Sequence, residues 1–278
     1  MKMMVILVCL MAPIISIRAQ SPLKSGFALV NGMNMYYQIY GKGKPLVLLH
    51  GGGSTIETTF GRVIPLLAKH RQVIAVELQA HGRTNDRETA LSFEQDADDV
   101  IALLSHLKIV KADFLGFSNG GTTTLQIAIR HPRMVNKLIL ASALSKRNGV
   151  PAQFWDYMKQ AALVNMPQEL KDGYLKVTAD YAGLQIMYDR DVQRMLNFKD
   201  ITDVLMKSIK APSLIINGDK DVILPEHALE MNRMLSNSEL LIVPGVHGEY
   251  LEEVTTLKSN SHQAKLVIPL IEAFLDKS

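Results

Sequence analysis

The stretch Ala112-Asp113-Phe114-Leu115-Gly116-Phe117-Ser118-Asn119-Gly120-Gly121 decides how the rest of the chain is read. Ala112–Leu115 reads as a short buried strand, and the residues from 119 to His131-Pro132 read as a helix. Between them lies Gly-x-Ser-x-Gly, Gly116 to Gly120, in the strand–turn–helix setting that lifts a serine out of a tight bend. Glycines two positions either side leave room for strand and helix to approach. Serine alone is a poor nucleophile, so Ser118 needs a base and an orienting acid from elsewhere in the chain.

Upstream, Leu46-Val47-Leu48-Leu49-His50-Gly51-Gly52-Gly53 puts a glycine-rich turn directly after another apolar run. Such a turn aims a backbone N–H at a developing oxyanion. Gly52 is the candidate, joined by the N–H of Asn119, the residue after the serine. Gly51 and Gly53 shape the turn, and His50 reads as a brace for it. A phosphate cradle would also use glycines, but no Gly-Lys-Ser/Thr and no Gly-x-Gly-x-x-Gly unit follows, so no nucleotide is expected. Downstream, Asn217-Gly218-Asp219-Lys220-Asp221-Val222 and Val243-Pro244-Gly245-Val246-His247-Gly248 each follow a strand-like run. Acid and then base past strand carboxyl ends completes the order Ser, Asp, His. Composition does not choose between Asp219 and Asp221. Among eight histidines, His70, His106, His131 and His227 fall in or at the ends of helical stretches, and His262 heads the last helix. His247 is the base.

Further buried runs lie at 45–49, 72–78, 137–142, 213–217 and 239–243, with helical patterns at about 57–69, 92–107, 119–131, 225–236 and 262–276. Asn31-Gly32 between two extended runs signals a hairpin. Nearly continuous apolar strands alternating with helices predict a parallel sheet covered on both faces. From 145 to 210 no strand-like run appears. Seven aromatic residues and five of the 14 methionines fall in that stretch, which reads as a helical lid over an apolar pocket.

These motifs, with Gln79-Ala80-His81-Gly82-Arg83-Thr84 and Gly218-Asp219-Lys220-Asp221, resemble the α/β-hydrolase superfamily from Gly26 to the C-terminus. The resemblance implies an α/β fold with a mostly parallel eight-stranded sheet, a core of 20–144 and 211–278, and a helical cap at 145–210. It implies a serine hydrolase that needs no metal or organic cofactor, and its Gly-x-x-Asp pattern selects Asp221 as the acid. Family members that place aspartate at the elbow, dehalogenases and epoxide hydrolases, are excluded by Ser118. The chain departs from the family at Glu77, where an aspartate is usual, and in the polar stretch after His247. The expected substrate is a small carboxylic ester. A proline-iminopeptidase-like amidase and lactone or carbon–carbon bond hydrolases share the triad, and a catalytically silent ligand binder is the rival of another class.

Composition agrees. With 47% hydrophobic and 21% charged residues the chain carries enough apolar material for a sizeable core. A net charge of +3 without a basic cluster speaks against nucleic acid as a partner. The one cysteine, Cys9, leaves no disulfide framework. Lys2, the apolar run Met3–Ile17 and Arg18-Ala19-Gln20 form the charge–apolar–small pattern of a secretory leader over 1–19. The run is shorter than the roughly 20 residues a membrane span needs. A secreted or periplasmic mature chain is expected.

Overall fold

Alternate residues of β3 (Lys44–Leu49) serve two different cores. Leu46 and Leu48 pack on one face of the sheet, and Val47 and Leu49 on the other, all fully buried. A strand with a period of two and both faces covered must be apolar throughout, which is why this run carries no polar alternation. The computed structural model describes residues 21–259 and 261–277, so the expected leader at 1–19 lies outside the described residues.

The strands are β1 (Lys24–Val30), β2 (Met33–Tyr40), β3, β4 (Arg71–Val76), β5 (Ala112–Phe117), β6 (Val135–Ala141), β7 (Ser213–Gly218) and β8 (Ser238–Val243). They form one sheet in the order β1-β2-β4-β3-β5-β6-β7-β8. β1 and β2 pair antiparallel, as do β2 and β4, and every other neighbouring pair is parallel. Asn31 and Gly32 both take positive φ (45° and 84°), as a two-residue hairpin with right-twisted strands requires.

The helices are α1 (Ile56–Phe60), α2 (Ile64–Leu67), α3 (Phe93–His106), α4 (Asn119–Arg130), α5 (Ala152–Lys159), α6 (Gln168–Thr178), α7 (Tyr181–Leu196), α8 (Asp203–Ser208), α9 (Pro225–Met234) and α10 (Ala264–Asp276). Residues of α3, α4, α8 and α9 build one core and those of α1, α2 and α10 the other. Two sequence expectations are corrected. The helix expected over 57–69 is two short helices, because the chain turns after α1 and Pro65 opens a new first turn in α2. The run 239–243, read as buried, is the edge strand β8, and it leaves Glu239 and Ile242 exposed.

Helices α5 to α8 fill the interval between β6 and β7. Phe154, Trp155, Met195 and Phe198 pack with Leu144 and Ile223 at the carboxyl ends of the sheet. Met166, Tyr174, Leu184 and Met187 form a smaller core within the insert. Met206 of α8 joins the main core beside α4 and α9, so the end of this interval packs as part of the sheet layer.

Candidate active site

All of β5 is buried, and the chain leaves it through Ser118 at φ 55°, ψ −120°. A left-handed φ on a residue with a side chain is strained, and such strain gathers at functional turns. Gly120 makes the bend feasible: a Cβ there would strike the carbonyl oxygens of Leu49 and His50. The first turn of α4 therefore lies against the end of β3.

His247, past the end of β8, reaches Ser118 with its Nε2 3.0 Å from the Oγ, and its Nδ1 is 2.7 Å from Asp221 Oδ1. A carboxylate can only accept, so Nδ1 carries the proton and Nε2 is free to accept the serine hydroxyl. Asp221 accepts three hydrogen bonds: from His247 and the Ile223 N–H (2.9 Å) on Oδ1, and from the Ser142 hydroxyl (2.6 Å) on Oδ2. Ser142 spends its proton on Asp221, so the buried Tyr250 hydroxyl, 2.6 Å away, donates to Ser142. Burial pushes the Asp221 pKa up, but His247 and these hydrogen bonds outweigh it and the net shift is downward. Asp219 does something else. It accepts the Gly245 N–H at 2.7 Å and braces the turn that presents His247.

On the other side of Ser118, among the described residues, the N–H groups of Gly52 and Asn119 donate to nothing. Asn119 begins α4, where the first N–H groups lack intrahelical partners and the helix dipole favours negative charge. His50 Nδ1 donates to the Gly51 carbonyl (2.8 Å), and its Nε2 accepts the Leu78 N–H (3.1 Å). The ring is thus neutral, and burial with the neighbouring His81 pushes its pKa down to about 3. Because C=O and N–H oppose each other across a trans peptide, holding the Gly51 carbonyl turns the Gly52 N–H the other way. Gly53, at φ 66°, gives its N–H to the carboxylate of Asp191 on α7 at 2.6 Å.

Asp191 belongs to a buried chain of charges that sequence reasoning missed. Its Oδ2 lies 2.9 Å from His81 Nε2, its Oδ1 pairs with Arg194, and Arg194 reaches Asp96 of α3 at 2.6 Å. His81 Nδ1 faces the Gln79 carbonyl at 2.8 Å. Both ring nitrogens meet only acceptors, so His81 is an imidazolium. Burial opposes that charge, but Asp191 prevails and raises the His81 pKa. The Asp191 pKa falls despite its burial, drawn down by Arg194, His81 and the Gly53 N–H. The available signal was Asp191 and Arg194 falling on the same helical stripe as Leu184, Met187 and Met195.

Ser118, His247, Gly52 and Asn119 open onto one cavity of about 280 Å³. Val150, Phe154, Tyr157, Met158, Met166, Pro167, Leu170, Tyr188, Val192 and Met195 from the insert cover it, with Leu144, Val222 and Ile223 from the sheet side. Asp191 is the one carboxylate among the described lining residues, which include no Lys or Arg.

This fold and this elbow are those of a serine-bearing α/β hydrolase. The family described as alpha/beta hydrolase fold matches residues 44–186, and the chain belongs to it. Human "Serine hydrolase BPHL" is 31% identical over 239 residues, which cover 80% of this chain and 79% of that protein. The 2-hydroxy-6-oxo-6-(2'-aminophenyl)hexa-2,4-dienoic acid hydrolase of Metapseudomonas resinovorans is 25% identical, covering 83% of this chain and 86% of its own. The crystal structure of an enol-lactonase from Burkholderia xenovorans superposes with a TM-score of 0.70 at 19% identity, covering 90% of this chain and all of that one, and it shares the fold.

Proposed function

We propose that the protein hydrolyses small, neutral carboxylic esters through an acyl-enzyme, with α5 to α7 as a lid over the acyl pocket. The observation that carries this reading is the Ser118–His247–Asp221 chain of contacts at the floor of an apolar cavity. Ser118 attacks the carbonyl carbon while His247 takes its proton, and Asp221 holds the imidazole and balances its charge. The Gly52 and Asn119 N–H groups receive the oxyanion. His247 then protonates the departing alcohol and activates water for deacylation.

Cavity chemistry supports the ester reading over the other reactions open to this triad. A volume of about 280 Å³ lies just below the roughly 300–1,000 Å³ of sites that take drug-sized ligands, which suits a small ester. The dienoic acid named for the Metapseudomonas relative carries a carboxylate, and no Lys or Arg among the described residues lines this cavity to meet one. An aminopeptidase-like reading needs a carboxylate free to take an ammonium group. Both oxygens of Asp191 already accept from Gly53, His81 and Arg194.

A fluorophosphonate is expected to label Ser118, and Ser118→Ala is expected to lose both the label and turnover of a short-chain p-nitrophenyl ester, by about 10⁶-fold in kcat. Faster turnover of a dienoic acid or an aminoacyl amide than of neutral esters would replace the ester assignment.

A further inference from the structure

We propose that Asp191, on the inserted helix α7, is a positioning residue for the oxyanion site, so that the site is competent only while the insert is docked. The inference rests on the hydrolase reading above and concerns how its transition state is stabilised.

Gly52 sits between two peptide groups, and each is held by a different layer of the molecule. The Gly51–Gly52 peptide is fixed from the sheet side, where His50 holds the Gly51 carbonyl and is itself fixed by the Leu78 N–H. The Gly52–Gly53 peptide is fixed from the insert, where the Asp191 carboxylate takes the Gly53 N–H. Charge assistance makes that bond a strong one. A three-glycine turn resists reorientation poorly, since glycine has the most backbone freedom to lose. Without the second clamp the peptide flanking Gly52 is free to rotate, and the Gly52 N–H loses its aim.

The clamp itself is built rather than incidental. Asp191 and Arg194 are buried side chains on an inserted helix, whereas Asp96, His81 and Gly53 belong to the sheet layer. The chain Asp96, Arg194, Asp191, His81 alternates in sign and is neutral as a whole, which is what burial of four charges requires. It spans the boundary between insert and sheet and ends on the turn that carries the oxyanion donor. A purely structural ion pair has no need to end there.

The test compares a transition-state mimic with a ground-state ligand. An alkyl boronic acid adds to Ser118 Oγ and becomes a tetrahedral anion whose oxygen lies at the oxyanion site, while a neutral alkyl amide of equal length only fills the cavity. In Asp191→Ala, kcat on a p-nitrophenyl ester is expected to fall about 10- to 100-fold, less than the 10²–10³ for outright removal of such a donor, with KM within about threefold. Boronate affinity is expected to fall by a similar factor and amide affinity to stay unchanged. Asp191→Leu with Arg194→Met removes the pair together at similar volume and serves if the single variant does not fold; the same split is expected. Unchanged kcat, or equal weakening of boronate and amide, overturns the proposal. Failure of the wild-type protein to bind the boronate, or binding that survives Ser118→Ala, overturns the hydrolase reading instead.

Discussion

The acid–base half of the site and its oxyanion half are held in different ways. Every group that touches Asp221 or His247 comes from the elbow, from the end of β6, or from the loops after β7 and β8. The oxyanion half takes one N–H from α4 and the other from a turn clamped on one side by His50 and on the other by the insert. Under the proposed mechanism, nucleophile activation is therefore a property of the sheet layer alone, and oxyanion stabilisation is shared across a boundary. Damage to the insert is expected to cost transition-state charge stabilisation while leaving the serine activated.

The largest expected effect tests that separation. Asp221→Asn leaves His247 in the wrong tautomer, and in a related triad that change costs about 10⁴ in kcat with the geometry intact. Combining Asp221→Asn with Asp191→Ala is expected to multiply the two losses, because groups without shared partners contribute independently. A double variant no slower than Asp221→Asn alone would show that the halves act as one unit.

A smaller effect concerns stability and pH. Asp191 raises the His81 pKa against the burial that opposes it, and Asp96, Arg194 and the neutral His50 are its other near titratable neighbours. A raised folded pKa contributes stability that is fully present below the unfolded value of about 6.5 and is lost as pH rises through the folded value. His81→Gln is thus expected to melt below wild type at pH 6, with the gap narrowing as pH rises beyond 6.5. Each kcal/mol reads as about 2–4 °C in a chain of this size. A gap that stays constant with pH would mean that His81 is neutral and the insert is tied by packing alone.

The two halves also differed in how far the sequence disclosed them. Ser118, His247 and the acidic pair each follow a strand directly, so a local pattern marks them. The parallel sheet was legible for the same reason, since strands buried on both faces have little choice of residue. The Asp191 clamp has no such marker. Its partners lie 138, 110 and 98 residues away from one end or the other of the α7 pair, and only the folded boundary joins them. Ser142 and Tyr250 were equally silent, because a hydroxyl behind an acid carries no spacing rule. The helix expected over 57–69 failed through turn chemistry inside an amphipathic run.

The smallest expected effect separates two acids two residues apart. Asp219 is exposed and its one side-chain bond is to the Gly245 N–H, whereas Asp221 is buried behind His247. Asp219→Ala removes that acceptor from the turn leading to His247. An exposed hydrogen bond of this kind is worth about 0.5–1.5 kcal/mol, and solvent replacement puts it at the low end. Asp219→Asn keeps an amide oxygen in place and is expected to cost less still. The turn is also tied by Asp219 N–H to the Val243 carbonyl (2.8 Å) and Lys220 N–H to the Gly245 carbonyl (3.0 Å), and neither bond involves a side chain. Those two bonds hold His247 in place in both variants, so kcat is expected to stay within about twofold while the melting temperature drops by a degree or two in Asp219→Ala. A loss of kcat in Asp219→Ala approaching that of Asp221→Asn would mean that the orienting acid has been assigned to the wrong residue of the pair.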